Sequence, residues 1–167
     1  MSEQYGRQYT RIDKVRERVD TLLKEIKDEE QKRCAYVHLY GVGLMAATIA
    51  IKQGYSRETA ELAEIAGILH DLYCYIYPDE DTADHAHKCA DYAVNEILSG
   101  IRGFSDEDKR LIYSGIYNHS DKDVTGDAFD EIIKDADALQ HSLRNPCEEY
   151  FFQKERTQQA LKRLIHI

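Results

Sequence analysis

Proline and tryptophan are scarce in this sequence of 167 residues, which has two prolines and no tryptophan. Pro78 and Pro146 each stand where a helix is expected to end, and no run of alternating β-branched residues is long enough to indicate a sheet. The longest apolar stretch, Gly41 to Ile51, is too short to span a bilayer. The sequence therefore predicts an all-α protein that has no membrane partner.

Cysteine and positive charge are also limited. The cysteines Cys34, Cys74, Cys89 and Cys147 form no CxxC pair, which argues against a zinc knuckle or a disulfide scaffold. Because the first residues also lack the apolar core of a signal peptide, we expect a cytoplasmic protein with reduced thiols. The formal net charge of -9 disfavours a nucleic-acid partner. It does not exclude a small phosphate substrate, because bound metal ions reverse the local field.

Apolar residues recur at helical spacing along the chain. This pattern predicts a single compact bundle of about six to seven helices, formed as one domain by residues 1–167, with flanking helices in 1–30 and 147–167. Ser56 and Ser105 are predicted to cap two of the helices, the second through a capping box. The predicted helices cover about 11–27, 31–53, 57–70, 84–98, 105–119, 128–143 and 148 onward, with loops at 75–82 and 120–126.

A His-Asp pair ends an otherwise apolar helix. His70 and Asp71 close the stretch AELAEIAGILHDLY. Such a dipeptide is common by chance, so the pair alone is weak evidence. Its setting is more informative, since two consecutive polar residues in an apolar environment need partners or a ligand.

Other polar residues fall on the apolar stripes of predicted helices. His38, His119 and Asp137 lie on inward faces, and His85 opens the fourth helix. Each residue alone has a structural alternative as a hydrogen-bonded member of the core. Together, the order His, His-Asp, His, His, Asp suits a transition metal with imidazole and carboxylate ligands. The remaining histidines are predicted to be structural: His87, His141 and His166.

Three segments resemble the signature of the HD superfamily of metal-dependent phosphohydrolases. They are YVHLYGVGLMA with His38, AGILHDL with His70 and Asp71, and IIKDADAL with Asp137. The resemblance covers about residues 33–143. It implies an all-α HD domain that binds a divalent transition metal.

Two more segments resemble HD proteins that have extra histidine ligands. They are DHAHKCADYAVNEIL with His85 and SGIYNHSDK with His119. The resulting ligand order is similar to that of bacterial HD enzymes that split dinucleoside tetraphosphates symmetrically at a two-iron site. The chain departs from them at 120–123, where Ser-Asp-Lys-Asp replaces a turn rich in threonine and glycine, and again at 138–141. These departures concern the substrate rather than the metal ligands.

The resemblance implies two metal ions and a metal-activated water. One ion would be held by His38, His70, Asp71 and Asp137. Asp71 would bridge to a second ion, held also by His85 and His119, so Asp71, His85 and His119 are the candidate catalytic residues. His87 is the alternative to His85. Iron is the expected metal, with manganese, cobalt or nickel as alternatives.

The implied activity is hydrolysis of a nucleotide or related small phosphate ester or anhydride by a monomer or homodimer. Arg33, Lys88 and Lys122 are candidate phosphate-binding cations. Tyrosines near the ligands could stack a base, although core packing is the better explanation for most of them. Two other functions fit the same ligands. One is a metal- or nucleotide-binding sensor without turnover, and the other is a di-iron oxygenase.

Overall fold

The computed structural model describes residues 9–81 and 83–165, in which helices joined by loops form the whole architecture. No strand occurs among these residues, so the all-α prediction is confirmed. After α5 the chain continues through a π-helical turn (Ala93–Ile97) and a 3-10 turn (Leu98–Gly100). The α-helices are α1 (Arg11–Lys24), α2 (Glu29–Lys52), α3 (Arg57–Leu69), α4 (Leu72–Ile76), α5 (His85–Tyr92), α6 (Asp106–Tyr117), α7 (Ala128–Leu143), α8 (Glu149–Phe152) and α9 (Glu155–Ile165).

Two short helices, α4 and α8, differ from the predicted boundaries. Helix α4 runs to Ile76, inside the segment predicted as a loop. The last predicted helix is divided into α8 and α9, and side chains contact the carbonyl groups at the end of α8. Ser142 Oγ lies 3.1 Å from the carbonyl oxygen of Phe151, and Gln158 Nε2 donates to that of Phe152 at 2.6 Å. Thr82 and His166, for which a loop and a structural role were predicted, lie outside the described residues.

The predicted caps of α3 and α6 are confirmed. Ser56 Oγ accepts a hydrogen bond from the Thr59 N–H at 3.1 Å. Ser105 Oγ accepts from the Asp108 N–H at 3.1 Å, while Asp108 Oδ2 accepts from the Ser105 N–H at 3.0 Å. These bonds satisfy amide groups that the first turn of a helix leaves unpaired.

Small residues allow α2 and α3 to cross closely. A Cβ atom on Gly67 would lie 2.7 Å from the Cα atom and 2.8 Å from the amide nitrogen of Gly43. Glycine at both positions therefore brings the two backbones into contact. This crossing places His38 of α2 beside His70, which follows the last residue of α3.

Helix α7 is the central helix and packs against α2, α3, α6 and α9. It buries Ile132, Ile133 and Leu139 together with charged residues. Asp135 is paired with Arg156 at 2.9 Å and with Arg163 at 2.6 Å, so ion pairs hold α9 against α7. Because burial of charge is costly without a partner, the buried acidic residues of α7 each need a specific explanation.

Helix α2 is long and apolar enough to cross a membrane by length and composition alone. Its apolar window has a mean hydropathy of 1.6, and 44% of that window is buried within the protein. Three apolar residues at seven-residue spacing, Val37, Leu44 and Ile51, are exposed on its outer face. Core helices of water-soluble proteins pass the same criterion, so this property is weak evidence for a span.

Candidate metal centre

Four predicted ligands converge at the crossing of α2, α3 and α7. His38 and Asp137 come from the interiors of α2 and α7, while His70 and Asp71 form the junction between α3 and α4. His38 Nε2 and His70 Nε2 are 3.2 Å apart. Asp71 Oδ2 lies 3.4 Å from His38 Nε2 and 3.3 Å from His70 Nε2. Asp137 Oδ1 lies 3.6 Å from each of these nitrogens.

The opposite ring nitrogen of each inward histidine is bonded to an oxygen. His70 Nδ1 donates to the carbonyl of Gly67, and His119 Nδ1 donates to that of Ile116, both at 2.7 Å. Since a carbonyl oxygen only accepts, these Nδ1 atoms carry a proton, and the Nε2 atoms are the ring nitrogens left to face the centre.

His38 is oriented by a side chain rather than by a carbonyl group. Its Nδ1 donates to Gln140 Oε1 at 2.7 Å, and Gln140 Nε2 donates to the carbonyl of Val37 at 3.2 Å. The second bond fixes which end of the amide faces His38. The first group of this centre therefore consists of acceptors, namely imidazole lone pairs and carboxylate oxygens.

The carboxylates at the centre carry buried oxygens that need a cation. Among the described residues, Asp71 Oδ1 and Asp137 Oδ1 accept no hydrogen bond of good geometry. An anionic acceptor that is buried without a donor is costly, and a metal ion supplies what is missing. The donor set of imidazole nitrogen and carboxylate oxygen fits a first-row transition metal.

The electrostatics of the centre also favour positive charge. Burial lowers the pKa of His70, but the carboxylates of Asp71 and Asp137 raise it to about 10. Burial raises the pKa of both aspartates, while His70 lowers each well below its usual range. Lys122 contributes one positive charge beside Asp137, and a proton or a metal ion held between the two carboxylates would supply another.

Asp71 extends the centre to a second group of ligands. Its Oδ1 atom lies 3.3 Å from His119 Nε2 and 3.9 Å from His85 Nε2, whereas its Oδ2 atom faces the first group. His119 is buried at the end of α6, and His85, in the first turn of α5, is 32% exposed. The second group therefore opens toward solvent, and Asp71 is placed to bridge two metal positions.

His87 lies apart from this second group. Its ring stacks on Tyr117, with centroids 3.8 Å apart and planes 7° apart. Of the two alternatives that the sequence left open, His85 is the one that the structure places beside Asp71.

His141 joins the first group, which the sequence reasoning missed. Its Nε2 atom lies 3.3 Å from Asp137 Oδ1, and its ring stacks on Phe151. Burial lowers the pKa of His141 to about 4, although Asp137 opposes the shift, so the ring is a neutral potential ligand. The available signal was its position four residues after Asp137, which places both on one helix face.

The three predicted phosphate-binding cations have different surroundings. Lys122 Nζ contacts Asp137 Oδ2, which makes it part of the centre. Lys88 is paired with Glu80 at 3.0 Å, and Arg33 is an exposed residue of α2 that is paired with Glu30 at 3.9 Å. Of the three, only Lys122 contacts a candidate ligand in the structure.

A cavity of about 470 Å³ adjoins the first group. Lys122 and His141 line it on the side of the centre, and Phe151 and Lys154 line it on the side of α8. Arg156, Asp123 and Glu155 also line it, so the cavity has three cationic and two acidic side chains beside an aromatic ring, next to the candidate ligands.

Comparison with known families adds independent support for this architecture. A family model described as the HD domain matches residues 35–142. The matched segment contains all six candidate ligands that the sequence singled out. Comparison with curated proteins and with solved structures gives no match.

Proposed function

Because the chain belongs to the HD domain family, we propose that it is a metal-dependent phosphohydrolase that acts on a nucleotide or a related small phosphate ester or anhydride. The observation that carries this proposal is the convergence of acceptors at the crossing of α2, α3 and α7. His38 Nε2 and His70 Nε2 face the carboxylates of Asp71 and Asp137, so two ring nitrogens and two anionic groups converge on one position. Such a site binds cations, and the family is one of metal-dependent hydrolases.

The two oxygen atoms of the Asp71 carboxylate face different groups of candidate ligands, and this supports two metal positions. His38, His70, Asp71 and Asp137 would hold the first ion, and Asp71, His85 and His119 the second. When bound, such ions lower the pKa of a water molecule to near 7 and neutralise charge on phosphoryl oxygens. Iron is our first choice, with manganese, cobalt and nickel as alternatives of similar ligand preference.

Residues of the chain would contribute to this activity by holding the candidate ligands in a fixed orientation. The Nδ1 bonds of His70 and His119 to backbone carbonyl groups hold each ring with its Nε2 atom inward. Asp71, at the start of α4, contacts both groups and so fixes their relative position. Such outer bonds raise the basicity of the ligand and prevent the ring from turning away.

The substrate site that we propose is the cavity beside Lys122 and His141. Lys122 is placed to exchange its contact with Asp137 for a phosphate oxygen, since its side chain is 35% exposed. The ring of Phe151 offers a flat apolar face of the kind on which a base stacks. The acidic residues Asp121 and Asp127, which do not line the cavity, would repel a long nucleic acid, and this favours a small substrate.

The test is a substrate panel with a matched pair of variants. Protein loaded with iron, manganese or cobalt is incubated with dinucleoside polyphosphates, nucleoside mono-, di- and triphosphates and an aryl phosphate. We expect metal-dependent hydrolysis of at least one of them, loss of that activity in Asp71→Asn, and its retention in His87→Ala. A fully loaded protein that hydrolyses none would contradict the proposal. Oxygen consumption under those conditions would indicate the oxygenase alternative, and nucleotide binding without turnover the sensor.

A further inference from the structure

Two cysteines meet beside the second metal position. Cys74 of α4 and Cys89 of α5 have their Sγ atoms 3.7 Å apart, although 15 residues separate them in the chain. Cys89 is buried and Cys74 is partly buried, whereas Cys34 and Cys147 are exposed. The pair is not explained by the proposed hydrolysis, and the spacing in the sequence gives no sign of it.

Each of these cysteines stands about one helical turn after a candidate ligand. Cys74 follows Asp71 by three residues, and Cys89 follows His85 by four. One carboxylate oxygen of Asp71 and both sulfur atoms lie within 4.8 Å of one another as potential ligand atoms. A covalent bond between the sulfurs would therefore connect the turn that follows Asp71 to the turn that follows His85.

We propose that Cys74 and Cys89 form a reversible disulfide whose closure weakens the second metal position. Formation of the disulfide requires only that the two Sγ atoms lie close together. Its effect on metal binding rests on the proposed function, because it requires Asp71, His85 and His119 to be ligands.

The geometry indicates which element moves when the bond closes. A disulfide has a sulfur–sulfur distance of about 2.05 Å, so the two sulfurs must approach by about 1.6 Å from their separation of 3.7 Å. Helix α5 is packed on α6 and continues into the π-helical turn, whereas α4 has only five residues. We therefore expect any movement of the backbone to occur mainly in α4, which begins directly after Asp71.

The chemistry requires an oxidant, for which we name a low-molecular-weight disulfide such as oxidised glutathione. The Cys74 thiolate, as the more exposed sulfur, attacks one sulfur of glutathione disulfide and releases one glutathione thiolate. The Cys89 thiolate then attacks the Cys74 sulfur of the mixed disulfide and releases the second thiolate. Two electrons pass from the protein to the oxidant, and the two protons end on two glutathione thiols.

The first experiment measures the bond in the metal-free, full-length protein. After treatment with oxidised glutathione and removal of small thiols, we expect peptide mapping to show Cys74 joined to Cys89 without bound glutathione, while the exposed Cys34 and Cys147 remain free or carry glutathione. The Cys34→Ser/Cys147→Ser double variant should lose both remaining thiols, whereas Cys74→Ser should form no intramolecular bond. Four remaining thiols, or glutathione attached to Cys34 and Cys147 alone, would overturn the proposal.

The second experiment measures metal binding in the two redox states. We expect the reduced protein to bind about two metal ions per chain and the oxidised protein about one, with the second restored by dithiothreitol. Retention of both ions by the oxidised protein would overturn the effect on the metal position. If neither form binds metal, the proposed function fails together with this effect, and peptide mapping still decides whether the disulfide forms.

Discussion

His38 and His70 face each other with their Nε2 atoms 3.2 Å apart, while the other nitrogen of each ring is already bonded to an oxygen. With nothing between them, the two Nε2 atoms would direct lone pairs toward each other, and a proton or a metal ion relieves that contact. The pair of histidines, more than the His-Asp dipeptide itself, therefore makes this crossing a candidate cation site.

Removal of His70 tests this site most directly. We expect His70→Ala to lose the metal of the first group, as measured by elemental analysis of protein produced with iron and manganese available. When both proteins are prepared with metal supplied, His70→Ala should also be less stable than the wild type by about 1–3 kcal/mol, because its remaining polar groups are buried without a partner.

The matched control is His87→Ala, which removes a histidine that stacks on Tyr117 outside the two groups. It should keep its full metal content. Equal metal content in His70→Ala and wild type would show that the convergence of acceptors at the centre is not a metal site.

A second metal depends on His85 and His119. We expect His85→Ala and His119→Ala each to lower the metal content from about two ions per chain to about one, with the fold retained. His119 is buried and bonded to the carbonyl of Ile116, so its removal should also reduce stability more than removal of the half-buried His85. Two ions in both variants would exclude the second position.

Much of the centre follows from helical periodicity. His38 and Asp137 lie on apolar stripes of α2 and α7, and a stripe must face the core. The glycines of α2 and α3 predict that these helices approach closely, which places His38 beside His70. These inferences need only local spacing, and the structure places the residues accordingly.

The remaining features depend on how distant segments pack. Cys74 and Cys89 lie together because the helix is interrupted at Asp71 and α4 then contacts α5, and no local pattern specifies that contact. His141 shares a helix face with Asp137, but its surroundings also depend on Phe151 of α8. The break between α8 and α9 falls where the side chains of Ser142 and Gln158 contact carbonyl groups of α8, and the apolar pattern of the sequence does not indicate it.

Gln140 is expected to position His38 without touching a metal. Gln140→Met removes the acceptor for His38 Nδ1, so metal affinity should fall by about 10- to 100-fold, as measured by competition with a chelator. Gln140→Glu keeps an acceptor oxygen and should retain more affinity. Gln159→Met, at an exposed position of α9, is the matched control. Equal affinity in the two methionine variants would contradict this role.

The crossing of α2 and α3 should tolerate no side chain at Gly67. A Cβ atom there would lie 2.7–2.9 Å from backbone atoms of Val42 and Gly43, which cannot move without separating the helices. We expect Gly67→Ala to lower the free energy of unfolding by about 1–3 kcal/mol in urea titrations.

Gly100→Ala provides the comparison for Gly67→Ala, because a Cβ atom at Gly100 would meet nothing within 4 Å. Its effect should stay within about 0.5 kcal/mol. Similar losses in the two variants would mean that the close approach of α2 and α3 does not limit stability.

Glu131 of α7 should make stability depend on pH in the acid range. Burial raises its pKa, but a hydrogen bond from the Gly126 N–H at 2.9 Å and pairing with Arg156 and Lys134 lower it to about 2. The folded state thus has the lower pKa. The stabilisation is complete above the unfolded value of about 4.3 and is lost as the pH falls toward 2.

We therefore expect Glu131→Gln to be less stable than the wild type at neutral pH by about 1–3 kcal/mol, and the difference to shrink between about pH 4.5 and pH 2. The measurement is urea unfolding of the metal-free proteins across that range, which removes the contribution of metal to the centre. Glu25→Gln is the control, since Glu25 is 80% exposed and lies 4.0 Å from Lys27. A constant difference between Glu131→Gln and the wild type over that range would mean that ionised Glu131 is not stabilised by these partners. The loss at neutral pH would then come from packing alone, because a packing defect does not titrate.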